Sequence, residues 1–538
     1  MKHLKSLMAG MAALSLGLAA CTSDDPEMAT VVDSGTNEGS NDAIYSSIRF
    51  HLPASRSTVK EGEEVGQDYE NKVGSILVVL ATKEGDNYSY LTYALSDASV
   101  SAPGNDATRH TVVFQEKENL ISQAGKSVYV FAYCNPTEAI RSAITNPGSD
   151  KNAFFDAICN GDYESTWSAN GFLMTNVQVL EKTLPGEDEI KTYNSASNAL
   201  DLGTVDVIRS AVRFDYKDGS PKQADKTPKF GVNTYAIYDA QVIDPTDNDV
   251  VAKVHMTNVA LVNMRNEFYY LPRTSDKGLC PGLTGMETMA TDSYVVTPAD
   301  ATYAYGLPAA IYHGDEAYNS LEWTSLDAIV AGTADVDEGW GENIADKEGY
   351  HIWRYATENS SNGSTELSIS STTGAIFEAE IIFDGDNTPE NGATVYLFGN
   401  TIYTGIAAIQ EDIKKAPISN LATAYSKAFT VNESDNSVVP ISDEAVEAAG
   451  FTAYKPATDG KYYCYYFYFN RHNDDENPTT TGVMEFATVR NNVYKLSVTG
   501  VKKLGGFKPD EKVEDWDAYF SLNVAVKPWV VRVNNIEF

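Results

Sequence analysis

The chain has 538 residues, 43% hydrophobic and 21% charged, a globular balance foreign to a membrane-spanning bundle or a wholly disordered chain. Forty Lys and Arg against 75 Asp and Glu leave a formal net charge of −35, which repels phosphate backbones and argues against a nucleic-acid partner. Such acidity keeps an extracellular protein soluble.

The first residues carry the sharpest short signal. Lys2 and Lys5 precede an apolar run, Leu7 to Ala20, that is too short to span a bilayer. It ends in Leu18-Ala19-Ala20-Cys21, which resembles a lipobox and predicts a signal peptide over 1–20 with Cys21 lipidated. Residues 21–43 are rich in Ser, Asp, Asn, Glu and Gly and read as a flexible acidic tether. Ser23-Asp24-Asp25 is similar to a surface-export signal of outer-membrane lipoproteins.

Ile44 to Leu52 alternates, with Ile44, Ser46, Ile48, Phe50 and Leu52 on one face of a half-buried strand. Pro53-Ala-Ser-Arg56-Ser57 and the charged stretch to Asn71 read as an exposed loop. Val73 to Ala81, Thr111 to Phe114 and Ser127 to Tyr133 read as core strands. Helices are predicted at Pro136 to Ile144, with Pro near the first turn, and at Asp150 to Ile158, with Asp150 as N-cap. Val205 to Tyr216 reads as one long strand opening a second unit near Leu202. Strand patterns then alternate with acidic or Gly/Asn-rich loops to the end, as at Tyr235 to Val242, Ala375 to Phe383, Lys461 to Phe469 and Asn492 to Val501. The whole is mainly β.

Residue patterns for catalysis are sparse. The seven His show no HExxH or His-x-His pairing, and neither G-x-S-x-G nor G-x-G-x-x-G occurs. Ala124-Gly125-Lys126-Ser127 imitates the end of a P-loop but has Leu120 where the motif needs Gly, and it leads into a strand. Asp384-Gly-Asp386-Asn-Thr-Pro-Glu390 resembles half a calcium loop, lacks the Gly and Glu that complete one, and reads as a turn. Cys134, Cys159, Cys280 and Cys464 allow three disulfide pairings, but their apolar settings favour buried free thiols. No cofactor or metal site is expected.

Three segments together resemble the type V pilins, or fimbrillins, and most closely the minor-fimbrium shaft subunits. They are the run from lipobox through Ile44 to Leu52 to Arg56-Ser57, the segment Ile208-Arg209-Ser-Ala211-Val-Arg213, and Arg490-Asn-Asn-Val-Tyr-Lys-Leu with the ending Leu522-Asn-Val-Ala-Val-Lys-Pro528-Trp529. The resemblance implies two tandem transthyretin-like antiparallel β-sandwich domains, 57–203 with a few short helices and 204–538. It further implies a non-enzymatic fimbrial subunit, exported as a lipoprotein to the outer membrane and then built into a surface fimbrium. An Arg-specific protease would cut after Arg56, leaving Ser57 as the new N-terminus and releasing 21–56 as a propeptide. The displaced strand would carry Ile44, Ile48, Phe50 and Leu52. The donor strand, about 522–538, would present Leu522, Val524, Val526, Trp529, Val531 and Val533, of which the first three alternate as Ile48, Phe50 and Leu52 do. The implied partners are copies of the chain, accessory, anchor and tip pilins, and host or bacterial surface ligands.

Two other readings stay open at this stage. A surface glycan-binding lipoprotein would use Trp167, Trp323, Trp340 and Trp353 as stacking platforms, and a glycoside-acting enzyme would use some pair among the 75 carboxylates.

Overall fold

The computed structural model describes residues 43–51, 66–67, 69–85, 87–97, 108–146, 148–168, 170–239, 242–275, 294–295, 297–298, 302–334, 343, 345–361, 369–383, 388–472, 485–509 and 520–528. All of them lie in the compact unit Ser40–Phe538.

The predicted first strand forms as β1 (Ile44–His51). It joins β2 (Ile76–Glu84), β3 (Asn87–Ser96), β4 (Thr108–Phe114) and β5 (Ser127–Cys134). A short strand β6 (Ile158–Asn160) stands apart, and β7 (Met174–Asn176), β8 (Leu180–Thr183) and β9 (Leu200–Arg209) complete an eight-stranded sheet. Its order is β3-β2-β5-β7-β9-β1-β4, with β8 on β5. The sheet wraps its own core. Ile44, Ile48 and Phe50 of β1 share one buried cluster with Val78 and Leu80, Val112 and Phe114, Val128 and Val130, and Val205 and Val207.

The opposite face of β2 and β5 buries Leu77, Val79, Phe131 and Tyr133 under the helix Glu138–Thr145 and the 3-10 turn Ala153–Asp156. That helix starts later than the Pro136 signal implied. Thr137 is the N-cap, accepting from the Ile140 N–H at 3.3 Å, so Pro136 lies outside. The second predicted helix is a correction. Its N-cap is Asn152, because the Asp150 carboxylate turns back onto the Asn152 N–H at 3.0 Å. The segment makes only the 3-10 turn that buries Phe154 and Phe155, before Ile158 enters β6.

The long strand predicted over Val205 to Tyr216 is divided. β9 ends at Arg209 and β10 (Val212–Tyr216) belongs to another sheet, so the chain crosses between sheets at Ser210 and Ala211, both fully buried. β10 pairs antiparallel with strand 351–356 and parallel with strand 492–501, which in turn pairs with strand 520–528 at the sheet edge. A second layer runs β11 (Thr234–Tyr238), β12 (Val250–Val262), strand 374–383 and strand 462–469. One core cluster draws Phe214, Tyr216 and Tyr494 from the first layer and Val254, Phe377 and Tyr466 from the second, which makes this part a two-layer β-sandwich. Strand 462–469, Tyr-Tyr-Cys-Tyr-Tyr-Phe-Tyr-Phe, is buried along its whole length, because elements cover both of its faces.

Between strands 374–383 and 462–469, which are neighbours in the sheet, the chain makes a small lobe. Strands 395–398, 401–403 and 451–454 and helices 406–415, 420–428 and 443–448 enclose a core of Tyr396, Ile409, Leu421, Phe429, Val446 and Phe451. The sequence reading placed no helix here. Yet Ser419 and Ser442 are ordinary N-caps, each accepting from the N–H three residues on at 3.1 Å. Cys134, Cys159 and Cys464 are buried free thiols, burial raising each thiol to about 12, while Cys280 lies outside the described residues.

Candidate functional site

The feature that sets this fold apart is the seating of its first strand. β1 lies inside the sheet, antiparallel to β4 from Ile44↔Phe114 to Phe50↔Thr108, and parallel to β9 from Ser46↔Leu200 to His51↔Asp206. The ladder with β9 steps at Ser47/Ile48, where Leu202 is passed over and Gly203 takes φ +105°, a conformation that suits glycine. Ile44, Ile48 and Phe50 are at most 1% exposed, each contributing roughly 1.5–3 kcal/mol by leaving water. Ser46 and Ser47 are buried too, so β1 is more enclosed than a half-buried strand. Arg49 ties it to β9 from the outer face, with Nη2 2.9 Å from Asp201 Oδ2 and Nε 3.2 Å from Thr204 Oγ1.

Of the predicted site residues, Cys21, Leu52, Arg56, Ser57, Trp529, Val531 and Val533 lie outside the described residues. Beyond the candidate cleavage loop, the residues around Glu70 fasten the chain to the junction between the eight-stranded sheet and the sandwich. Glu70 is fully buried. Its carboxylate accepts from Arg213 Nη1 at 3.2 and 3.3 Å and from the Tyr355 hydroxyl at 2.5 Å. Arg213 also forks onto Asp215, two residues along the same strand face, at 2.8 Å for both bonds. Arg209 Nε donates to the Glu70 carbonyl at 3.0 Å, and its Nη2 bonds Asn71 Oδ1. Burial brings the Arg209 guanidinium down to about 9, against the opposing pull of Glu70, and burial followed by the Glu70 charge raises the Tyr355 hydroxyl.

A second buried pair stands nearby. Arg490 grips Glu358 with Nε–Oε2 at 2.9 Å and Nη2–Oε1 at 3.0 Å, and its Nη1 donates to the Tyr270 carbonyl at 3.0 Å. Asn491, at φ +58°, accepts from the Arg209 N–H at 3.2 Å while its own N–H donates to the Ala211 carbonyl at 2.8 Å. The two Arg-bearing segments singled out in the sequence thus converge on one junction. Their partners Glu70, Asp215, Tyr355 and Glu358 were not anticipated. The signal present was cationic side chains within apolar runs, which must find buried anions.

The C-terminal strand Phe520–Pro528 is paired within its own sheet, from Asn492↔Pro528 through Leu496↔Val524 to Val501↔Phe520. Leu522, half-buried, packs against the sandwich core. Val524 and Val526 sit at register positions opposite Leu496 and Tyr494. The exchange readings for β1 and for this strand concern separate sheets, β1 being paired on both sides and strand 520–528 on one.

Residues 460–535, which hold the Tyr-rich strand, the Arg490 segment and this edge strand, match the family described as "Major fimbrial subunit protein type IV, Fimbrillin, C-terminal". Over this stretch the chain is similar to the fimbrillins. No curated protein matches it in sequence. Among solved structures it is similar to a candidate cell adhesion protein from Parabacteroides distasonis, at 12% identity and a TM-score of 0.40 over 92% of this chain and 99% of that one. It is also similar to a fimbrilin from Porphyromonas gingivalis, at 14% identity and a TM-score of 0.37 over 91% and 98%. A third is the C-terminally truncated tip fimbrial protein Mfa3 of the same organism, at 10% identity and a TM-score of 0.34 over 90% and 100%.

Aromatic platforms fare poorly in this fold. Trp167 and Trp353 are buried at 6% and 3% exposure and cannot offer a ring face to a sugar, and Trp323 is stacked on Tyr318 with centroids 4.9 Å apart. Trp340 lies outside the described residues. Among the described residues no cluster of His, Cys, Asp and Glu could hold a metal ion, and no helix is long and apolar enough to cross a membrane.

Proposed function

We propose that this chain is a structural subunit of a cell-surface fimbria, exported as a lipoprotein precursor through Cys21 and polymerised by strand exchange after Arg-specific cleavage at Arg56. The observation that carries the reading is the position of β1. It is the first strand of the body, it lies between two neighbours, and it fills a groove with Ile44, Ile48 and Phe50. Its loss would bare apolar side chains together with the ladder groups of β4 and β9, a state that only another strand relieves. The fimbrillin match over 460–535 supports the same reading from the other end of the chain.

While β1 is tethered, its effective concentration at the groove keeps other strands out, and the precursor stays monomeric. Cutting the segment after it removes that advantage. The strand offered in return is the C-terminal one, about 522–538, from the next copy, and accessory, anchor or tip pilins would enter the same series. The test compares wild type and Arg56→Ala after limited trypsin treatment, by size-exclusion chromatography and electron microscopy. Filaments from wild type and monomers from Arg56→Ala are expected, and filaments of equal length from both would overturn the cleavage assignment.

A further inference from the structure

A histidine lines the groove that holds β1. His110 of β4 is the register partner of Ile48, and its ring lies 5.7 Å from that of Phe50. It is 9% exposed, and its Nε2 has no hydrogen-bond partner among the described residues. The hydroxyl of Ser46, on β1 itself, is buried without a partner as well. Two orphaned polar groups on facing strands make this ladder less well satisfied than a wholly apolar one.

Among the described residues, the elements around His110 supply no counter-charge to its face. The charged residue of β1 is Arg49, held by Asp201 and Thr204 of β9 on the opposite face. β9 also carries Asp206, and Arg109 precedes His110 on β4. β3, which approaches β4, has no charged residue between Asn87 and Ser96, only Tyr88, Tyr90 and Tyr93 as titratable groups. Across the core β2 and β5 present Val78, Leu80, Val128 and Val130.

We propose that His110 is an acid-sensitive release group for β1, its protonated form favouring the state in which the strand has left the groove. The inference rests on the reading of β1 as an exchangeable strand. Burial lowers the imidazole from 6.5 to about 4. A depressed pKa means that the closed groove is favoured fully above 6.5 and loses that preference as pH falls toward 4. With those two values the open state becomes about 20-fold more populated at pH 5 than at pH 7.

A global melt would not isolate this effect, since burial lowers His472, outside the sheet of β1, to about 4 as well. Hydrogen exchange of the full-length chain, followed on peptides covering Ile44–Phe50 between pH 7 and pH 5 and corrected for intrinsic rates, reads β1 alone. Peptides from β2 and β5 serve as the reference. The wild type should show β1 opening about 20-fold more often at pH 5 against that reference, and His110→Leu and His110→Gln should both flatten the dependence. His110→Gln keeps the test alive if the leucine variant fails to fold. No acid dependence in the wild type, or the same dependence in both variants, would overturn the proposal. A strand that opens with acid yet never exchanges would support it while defeating the fimbrial reading.

Discussion

Glu70 and Arg213 meet in an ion pair with both side chains at most 2% exposed, Nη1 3.2 Å from Oε2, although 143 residues separate them in sequence. Glu70 lies beyond the candidate cleavage loop, and Arg213 lies on β10, the first strand of the two-layer sandwich. This pair ties the residues after the loop to the body independently of the β1 ladder. Two charges so enclosed need further partners, and they have them: Arg213 adds Asp215, and Glu70 adds Tyr355.

Removing one partner should therefore be costly. Glu70→Ala takes a buried carboxylate away from Arg213, which keeps Asp215, and from the Tyr355 hydroxyl, which keeps the Tyr69 hydroxyl at 3.1 Å, and we expect a loss of about 3–5 kcal/mol in urea unfolding. Glu70→Gln keeps an acceptor for Tyr355 and should lose less. A Glu70→Ala protein as stable as wild type would show that the junction draws no strength from this carboxylate.

Retention of β1 should depend on its apolar side chains far more than on its charge. Arg49 and Asp201 keep 34% and 46% of their side-chain surface in water, so Arg49→Ala should cost less than about 1 kcal/mol. Ile48 is fully buried, and Ile48→Ala should cost about 2–5 kcal/mol and leave a cavity facing His110. Exchange protection of β1 amides in the two variants checks the ranking, and a larger loss for Arg49→Ala would reverse it.

How much of this was legible in the sequence depended on the range of the forces involved. β1 was readable because its alternation is local, and so were the Tyr-rich strand 462–469 and the strand 492–501. The break at Ser210 and Ala211 was not, since both flanking halves share one strand pattern and only the handover between sheets divides them. The lobe helices were missed although Ser419 and Ser442 mark their starts, because the surrounding strand patterns outweighed short amphipathic runs. Glu70 gave no signal at all within an acidic, polar stretch. Its importance comes from Arg209, Arg213 and Tyr355, contacts across 139 to 285 residues that no local pattern encodes.

Gly505 marks a close approach inside the fimbrillin-matched region. A Cβ there would stand 2.2 Å from the Tyr465 carbonyl oxygen, on a strand held in turn by the Tyr465 N–H to Gly506 carbonyl bond at 3.0 Å. Backbone cannot yield as a flexible side chain does, so Gly505→Ala should cost about 1–3 kcal/mol. Thermal unfolding reads the effect, and an unchanged midpoint would mean that the segment 504–507 repacks freely.

The last prediction concerns the donor. In the structure Phe520–Pro528 closes the edge of its own sheet against Asn492–Val501, while the far side of that edge strand meets no other strand among the described residues. Deleting residues 522–538 opens the ladder of strand 492–501 to water but leaves Val493, Tyr494, Leu496 and Val498 beneath the rest of the protein, so a weakened body should still fold. That body keeps Arg56 and β1. Under the exchange reading it should be cut by trypsin like wild type and then fail to extend, because it accepts a strand without offering one. Deleting only residues 529–538 spares the ladder while removing Trp529, Val531 and Val533, half of the apolar knobs assigned to the donor, and should give shorter filaments. Circular dichroism and the rate of cleavage establish that each truncated body is folded, and electron microscopy reads the assembly. Filaments of normal length from the protein lacking 522–538 would reduce the C-terminal strand to the edge of its own sandwich, and the donor would have to be sought elsewhere in the chain.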